Sequence, residues 1–111
     1  MKFTKEHLRD MNTTEINTTL ARLLDFNLQW HSMKDIGRIL VVEESDGNLS
    51  RIPDYCNNPS DIIPLAFEYR VSIEWFSDGR CLVSTNTEVY QSTNPLRAIA
   101  CCLILVLQED L

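Results

Sequence analysis

The side chains that could do covalent or metal chemistry are four cysteines, Cys56, Cys81, Cys101 and Cys102, and two histidines, His7 and His31. A structural zinc site needs closely spaced ligand pairs, and neither the cysteines nor the histidines have that spacing. Nucleophilic catalysis by Cys56, Cys81 or a serine needs a base beside it, and the sequence ties neither histidine to one. Glu43 and Glu44 form a carboxylate pair next to Asp46 and Gly47. That setting suits a solvated turn rather than acid–base work. Gly37, Gly47 and Gly79 are too scattered to cradle a phosphate. We therefore assign no catalytic residue, no metal and no cofactor, and expect a protein that is not an enzyme.

Two groups of residues remain as candidates for binding. Tyr55, Asn57 and Asp61 lie close together, and Arg97 opens a later helix. If the fold joins them, helix amides and the Arg97 guanidinium would receive a carboxylate or phosphate while Tyr55 offers a flat contact. The competing expectation is structural, with Asn57 closing a loop, Asp61 capping a helix and Arg97 bridging within the molecule. Trp30 and Trp75 have the same ambiguity. Burial is the expected state for residues of this size, and exposure would make them interface aromatics.

Several elements must hold these residues in place. Lys2 to Asp10 offers few apolar groups and reads as a helical turn or an N-terminal arm over residues 1–11. Ile16, Leu20, Leu23 and Leu24 recur at helical spacing behind Thr13 and Thr14, which predicts an amphipathic helix to about Asp25. Phe26, Leu28 and Trp30 then alternate with polar residues, the period of an extended segment with one buried face. The β-branched run from Ile36 to Val42 predicts a strand at Arg38 to Glu43. Leu49 to Asn58 reads as a loop.

Asn58 followed by Pro59 is a helix start, and Pro64 is expected to bend this helix or delay its regular part. The apolar residues Ile62, Ile63, Ala66, Phe67 and Tyr69 imply cover on more than one side. Alternation at Val71 to Phe76, the Asp78-Gly79 pair and the arm Arg80 to Ser84 predict a hairpin. A two-residue turn would set Trp75 across from Leu82. Thr85 to Thr93 reads as loop, and Asn94-Pro95 opens a final helix to about Gln108. That helix is apolar almost all round, so it is either buried on several sides or waiting for a partner such as a second copy of the chain.

A chain of 111 residues, 44% of them hydrophobic, can form one domain, 1–111, around its own core. The formal charge of −6 disfavours non-specific attraction to nucleic acid or to an anionic membrane. The N-terminal residues lack the apolar run of a signal peptide. Unpaired cysteines suit a reducing, cytoplasmic location.

The run from Tyr55 to Leu65, the hairpin, and Asn94-Pro95-Leu96-Arg97-Ala98 together resemble small tailed-phage and prophage proteins of the NinX type, which are related in pattern to the phage α-β-α sandwich domain. The likeness covers Tyr55 to Leu111 and implies mainly fold and origin. With the lack of assembled catalytic groups, the acidic charge and the apolar last helix, the expectation is a phage accessory protein of the host cytoplasm whose partner is a phage or host protein. From these readings we expect an α+β fold: a small, mostly antiparallel sheet of about three strands with the Asp-Gly hairpin, packed with about three helices in an α-β-α-like sandwich. The functional expectation is protein–protein interaction. The alternative is a small anion- or nucleotide-binding module.

Overall fold

Helix starts are written into this sequence as local hydrogen-bond chemistry, and a computed structural model, which describes residues 2–35 and 37–109, shows each of them in use. Thr4 and His7 form a capping box at the start of α1, Lys5–Asp10. Asn12 and Glu15 form another at α2, Thr13–Leu23, so the cap lies one residue before the threonines. Asn58 accepts from the Ser60 amide at 3.1 Å to open α3, Pro59–Glu68. Asn94 accepts from the Leu96 and Arg97 amides at 3.1 and 3.2 Å to open α4, Pro95–Gln108. In each case one side-chain oxygen satisfies amides that no helical carbonyl can reach.

The expected single sheet with about three helices is not what forms. Among the described residues there are four helices and two separate three-stranded antiparallel sheets. β1, Leu28–Met33, β2, Gly37–Glu43, and β3, Leu49–Arg51, make the first sheet; β4, Ser72–Trp75, β5, Cys81–Ser84, and β6, Val89–Ser92, make the second. The sandwich expectation fails because two segments that read as loops, around Leu49 and around Tyr90, are short edge strands. They are too brief and too polar to carry a period, and pairing with β2 and β5 supplies the order. Ile36, part of the β-branched run, lies outside the described residues, as do Met1, Asp110 and Leu111, where the 1–111 domain and the NinX-type likeness run past them.

The element order resolves into two units of one build, each a helix followed by a three-stranded meander. α2 ends at Leu24, and Asp25 takes a left-handed φ of 65° while the Phe26 amide returns to the Ala21 carbonyl at 3.1 Å. α3 ends at Tyr69, Arg70 takes a φ of 54°, and the Val71 amide returns to Ala66 at 2.9 Å. Both are the six-to-one closure of a Schellman ending. The residues match as well. Leu20-Ala21 corresponds to Leu65-Ala66, Trp30 follows Asp25 at the spacing with which Trp75 follows Arg70, and Gly37-Arg38-Ile39-Leu40-Val41 corresponds to Gly79-Arg80-Cys81-Leu82-Val83.

The core forms where α4 meets α2, β5 and β6. Ile99, Leu103 and Ile104 of α4 are fully buried, with Leu8, Ile16, Leu20 and Val83 around them. The apolar last helix is thus covered by its own chain, which removes the need for a twin copy to seal it. The N-terminal segment is a docked element rather than a free arm. Leu8 is buried, the Gln108 amide brackets the Phe3 backbone at 2.7 and 2.8 Å, and Arg97 donates to the carbonyls of Leu8 and Met11.

α3 runs through Pro64, which stands on the exposed side where a missing amide costs least. It is covered on one side only: Ile62 is buried against the core and Phe67 is 79% exposed. The second hairpin closes with three residues, because Phe76 pairs with Arg80 (2.9 Å) and Gly79 takes φ 92°. Trp75 therefore faces Cys81 and Glu74 faces Leu82, one residue away from the two-residue register. The first strand is exposed along nearly its whole length, so its alternation does not mark a buried face.

Candidate functional site

Tyr55, Asn57 and Asp61 do come together, as a brace and not as an open site. Asp54 stands at the middle: its carboxylate accepts from Asn17 at 2.9 Å and from Asn57 at 3.3 Å, and its amide donates to Asp61 at 3.0 Å. The Asn17 side-chain oxygen accepts from the Cys56 amide at 3.2 Å, and Asn94 donates to the Cys56 carbonyl at 3.5 Å. These bonds tie the loop after β3 to α2, α3 and α4, and each buried polar group in them has a partner. Tyr55 is buried within the brace. Burial, and after it the Asp61 carboxylate, pushes its hydroxyl up to about 12. Arg97 takes no part. Its guanidinium holds the last carbonyls of α1, where a cation also meets the negative end of the helix.

The cysteines are buried thiols, and the structure records neither histidine beside one among the described residues. Burial first, and then the Cys101 thiol, pushes Cys56 up to about 11, and burial holds Cys101 and Cys102 at about 11. Such groups are protonated at neutral pH and are poor nucleophiles. His7 is committed to the α1 capping box, its Nδ1 accepting from the Thr4 amide at 3.3 Å, and His31 lies exposed on β1. No cluster of metal-ligating residues occurs among the described residues.

The tryptophans behave otherwise than residues of their size usually do. Trp30 is 59% exposed and Trp75 64% exposed. Trp75 sits on the face of the second sheet that carries Cys81 and Val83, both fully buried under α4. That face simply extends one strand further than the helix reaches. Alternation from the Phe76–Arg80 bond makes Ser72 and Glu74 the residues bonded to β5, so Ile73 and Trp75 turn their own backbone groups toward the open edge.

Trp30 occupies the corresponding place in the first unit, but its neighbours differ. It pairs with Leu40, and Arg38, on the same face of β2, lies 5.1 Å from the ring centroid. Opposite stands the outer side of α2, and the two walls enclose a cleft of about 600 Å³ lined by Trp30, Arg38, Leu40, Thr14, Thr18 and Arg22, among others. Sequence reasoning misses this cleft, because its residues come from separate elements. The signal that could find it is the pair of matching Trp and Gly-Arg-x-Leu-Val segments. No family model, curated protein or solved structure matches this chain.

Proposed function

We propose that this chain is a non-enzymatic binding protein that acts by contact with another protein along the edge of β4. The observation that supports this reading is Trp75. Its ring stays exposed on a sheet face whose Cys81, Val83 and Tyr90 are core, beside exposed Ile73 and the outer backbone groups of an edge strand. An extended partner segment laid along β4 would gain main-chain hydrogen bonds and bury both side chains at once. Exposed tryptophan is also the residue type that most often dominates an interface energetically. Taken with the NinX-type resemblance, the proposed partner is a phage or host protein met in the host cytoplasm. A homodimer sealed by α4 loses its support, since that helix is covered within the chain.

A photo-crosslinking amino acid at position 75 tests this in lysate of the proposed host. The expected result is a discrete adduct that excess wild-type protein competes away and that Ile73→Ser weakens, with no such adduct from the exposed position 87. Equal labelling from both positions, or none from position 75, would remove the reading.

A further inference from the structure

We propose that the cleft between α2 and the first sheet binds a small planar anion: a ring that lies against Trp30, carrying a carboxylate or phosphate held between Arg22 and Arg38. One wall is apolar and flat. Trp30 and Leu40 face each other across β1 and β2, and Ile52 continues the surface. The other wall is the outer stripe of α2, where Thr14, Thr18 and Arg22 succeed one another at helical spacing. Threonines are poor helix formers, and this stripe stands opposite the buried stripe of Ile16 and Leu20. Thr14 and Thr18 thus bring short polar side chains to the wall of the cleft.

The charges decide the class of ligand. The ionisable groups lining the cleft are Glu15, Arg22 and Arg38. Glu15 is turned toward the helix start, where its carboxylate accepts from the Asn12 amide at 3.2 Å. Among the described residues the salt bridge is Arg80–Asp78, so neither Arg22 nor Arg38 is neutralised by a carboxylate. A chain with a net charge of −6 thus sets two unpaired guanidinium groups at one cleft. Arg38 is already stacked on Trp30, which fixes its planar fork beside the surface where a ring would rest. The volume of about 600 Å³ lies inside the range of roughly 300–1,000 Å³ usual for small-molecule sites.

The second unit supplies an internal control. Its Arg80 and Leu82 correspond to Arg38 and Leu40, but Trp75 reaches Arg80 by a shorter connection than the one from Trp30 to Arg38. The pairing changes parity: Arg80 lies opposite Phe76 and stacks on it, on the face away from Trp75. A shift of this kind moves a side chain to the other side of the sheet. Arg80 is also neutralised by Asp78 at 2.6 Å. The combination of tryptophan and free arginine on one face therefore belongs to the first unit.

The test uses the full chain carrying Trp75→Phe, in which Trp30 is the sole tryptophan and reports on the cleft. Four probes are titrated: adenosine monophosphate and benzoate, which join ring to charge, adenosine, which lacks the charge, and inorganic phosphate, which lacks the ring. The expected result is a saturable change in Trp30 emission with one or both ring-bearing anions and none with adenosine or phosphate. Response to the nucleotide alone assigns a phosphate-bearing ligand, and response to benzoate alone a carboxylate-bearing one. Arg22→Gln should weaken the responding probe by about tenfold or more while leaving the unliganded melting temperature unchanged. No saturable response to either ring-bearing anion overturns the proposal. So does equal binding of adenosine, or binding that neither Arg22→Gln nor Arg38→Gln alters.

Discussion

The two α–βββ units start alike and end differently, and the difference lies in the helix that comes after each meander. The second meander leads into α4, whose Ala98, Ile99 and Cys101 to Leu105 are buried, and this helix lies across β5 and β6. The first leads into α3, which packs on α4 and gives the first sheet no such cover. Matching tryptophans thus have different surroundings: Trp75 rims a core, while Trp30 walls a cleft. One helix of the right composition turns a meander into part of a core, and without it only Val41 and Val42 of the first meander are buried among the described residues. Apolar burial is the larger free-energy term, so the second sheet, which shares the core with α2 and α4, should be the more stable of the two sheets and the first sheet the freer to open.

That contrast can be broken at several points. Leu103→Ala empties a fully buried site on α4 and should cost roughly 2–5 kcal/mol. Trp30→Ala, on the first sheet, should cost no more than about 0.5 kcal/mol. Urea unfolding followed by circular dichroism measures both, and equal losses would erase the distinction between the units. Asn17→Ala should fall between them, at about 1–3 kcal/mol, because it leaves the Asp54 carboxylate and the Cys56 amide short of a partner inside the brace. A loss below that of Trp30→Ala would show that the brace does not hold the units together.

A smaller effect reads the burial around α4 by pH. Burial raises Cys56, Cys101 and Cys102 from an ordinary value of 9.0 to about 11, and Tyr90 from 10.0 to about 12. These groups lose their protons more readily in the unfolded chain than in the folded one. Their contribution is therefore whole below about pH 9 and is lost as the pH rises toward 11 and 12. Urea midpoints should be level from pH 7 to 8.5 and fall above pH 9, and Cys101→Ala should flatten that decline. A midpoint unchanged at pH 10.5 would contradict the burial of these groups.

How much of this can be read from the residues depends on how local the cause is. Asn58-Pro59 and Asn94-Pro95 mark their helices because cap and proline act within one turn, and α4 ends at Gln108 as its apolar run indicates. The hairpin register is out by one residue because Asp78-Gly79 serves either a two-residue or a three-residue closure, and Phe76–Arg80 pairing selects the second. β3 and β6 are not legible, since strands of three or four residues take their order from a neighbour. Arg97 stands apart from Asp61 for a related reason. Its place at the start of a second proline-capped helix suggests a meeting with the first, but its guanidinium reaches Leu8 and Met11, far away in sequence. The Trp30 cleft needs a helix and two strands at once, and no single segment announces it.

Backbone hydrogen–deuterium exchange, resolved by residue, tests the central contrast most directly. Amides of α4 and β5 should exchange through global unfolding and be the slowest in the molecule, while those of β1 and β3 should exchange through local opening at much lower free energy. Protection of β1 and β3 equal to that of α4 would contradict the account, because the first sheet would then belong to the same cooperative core as the second.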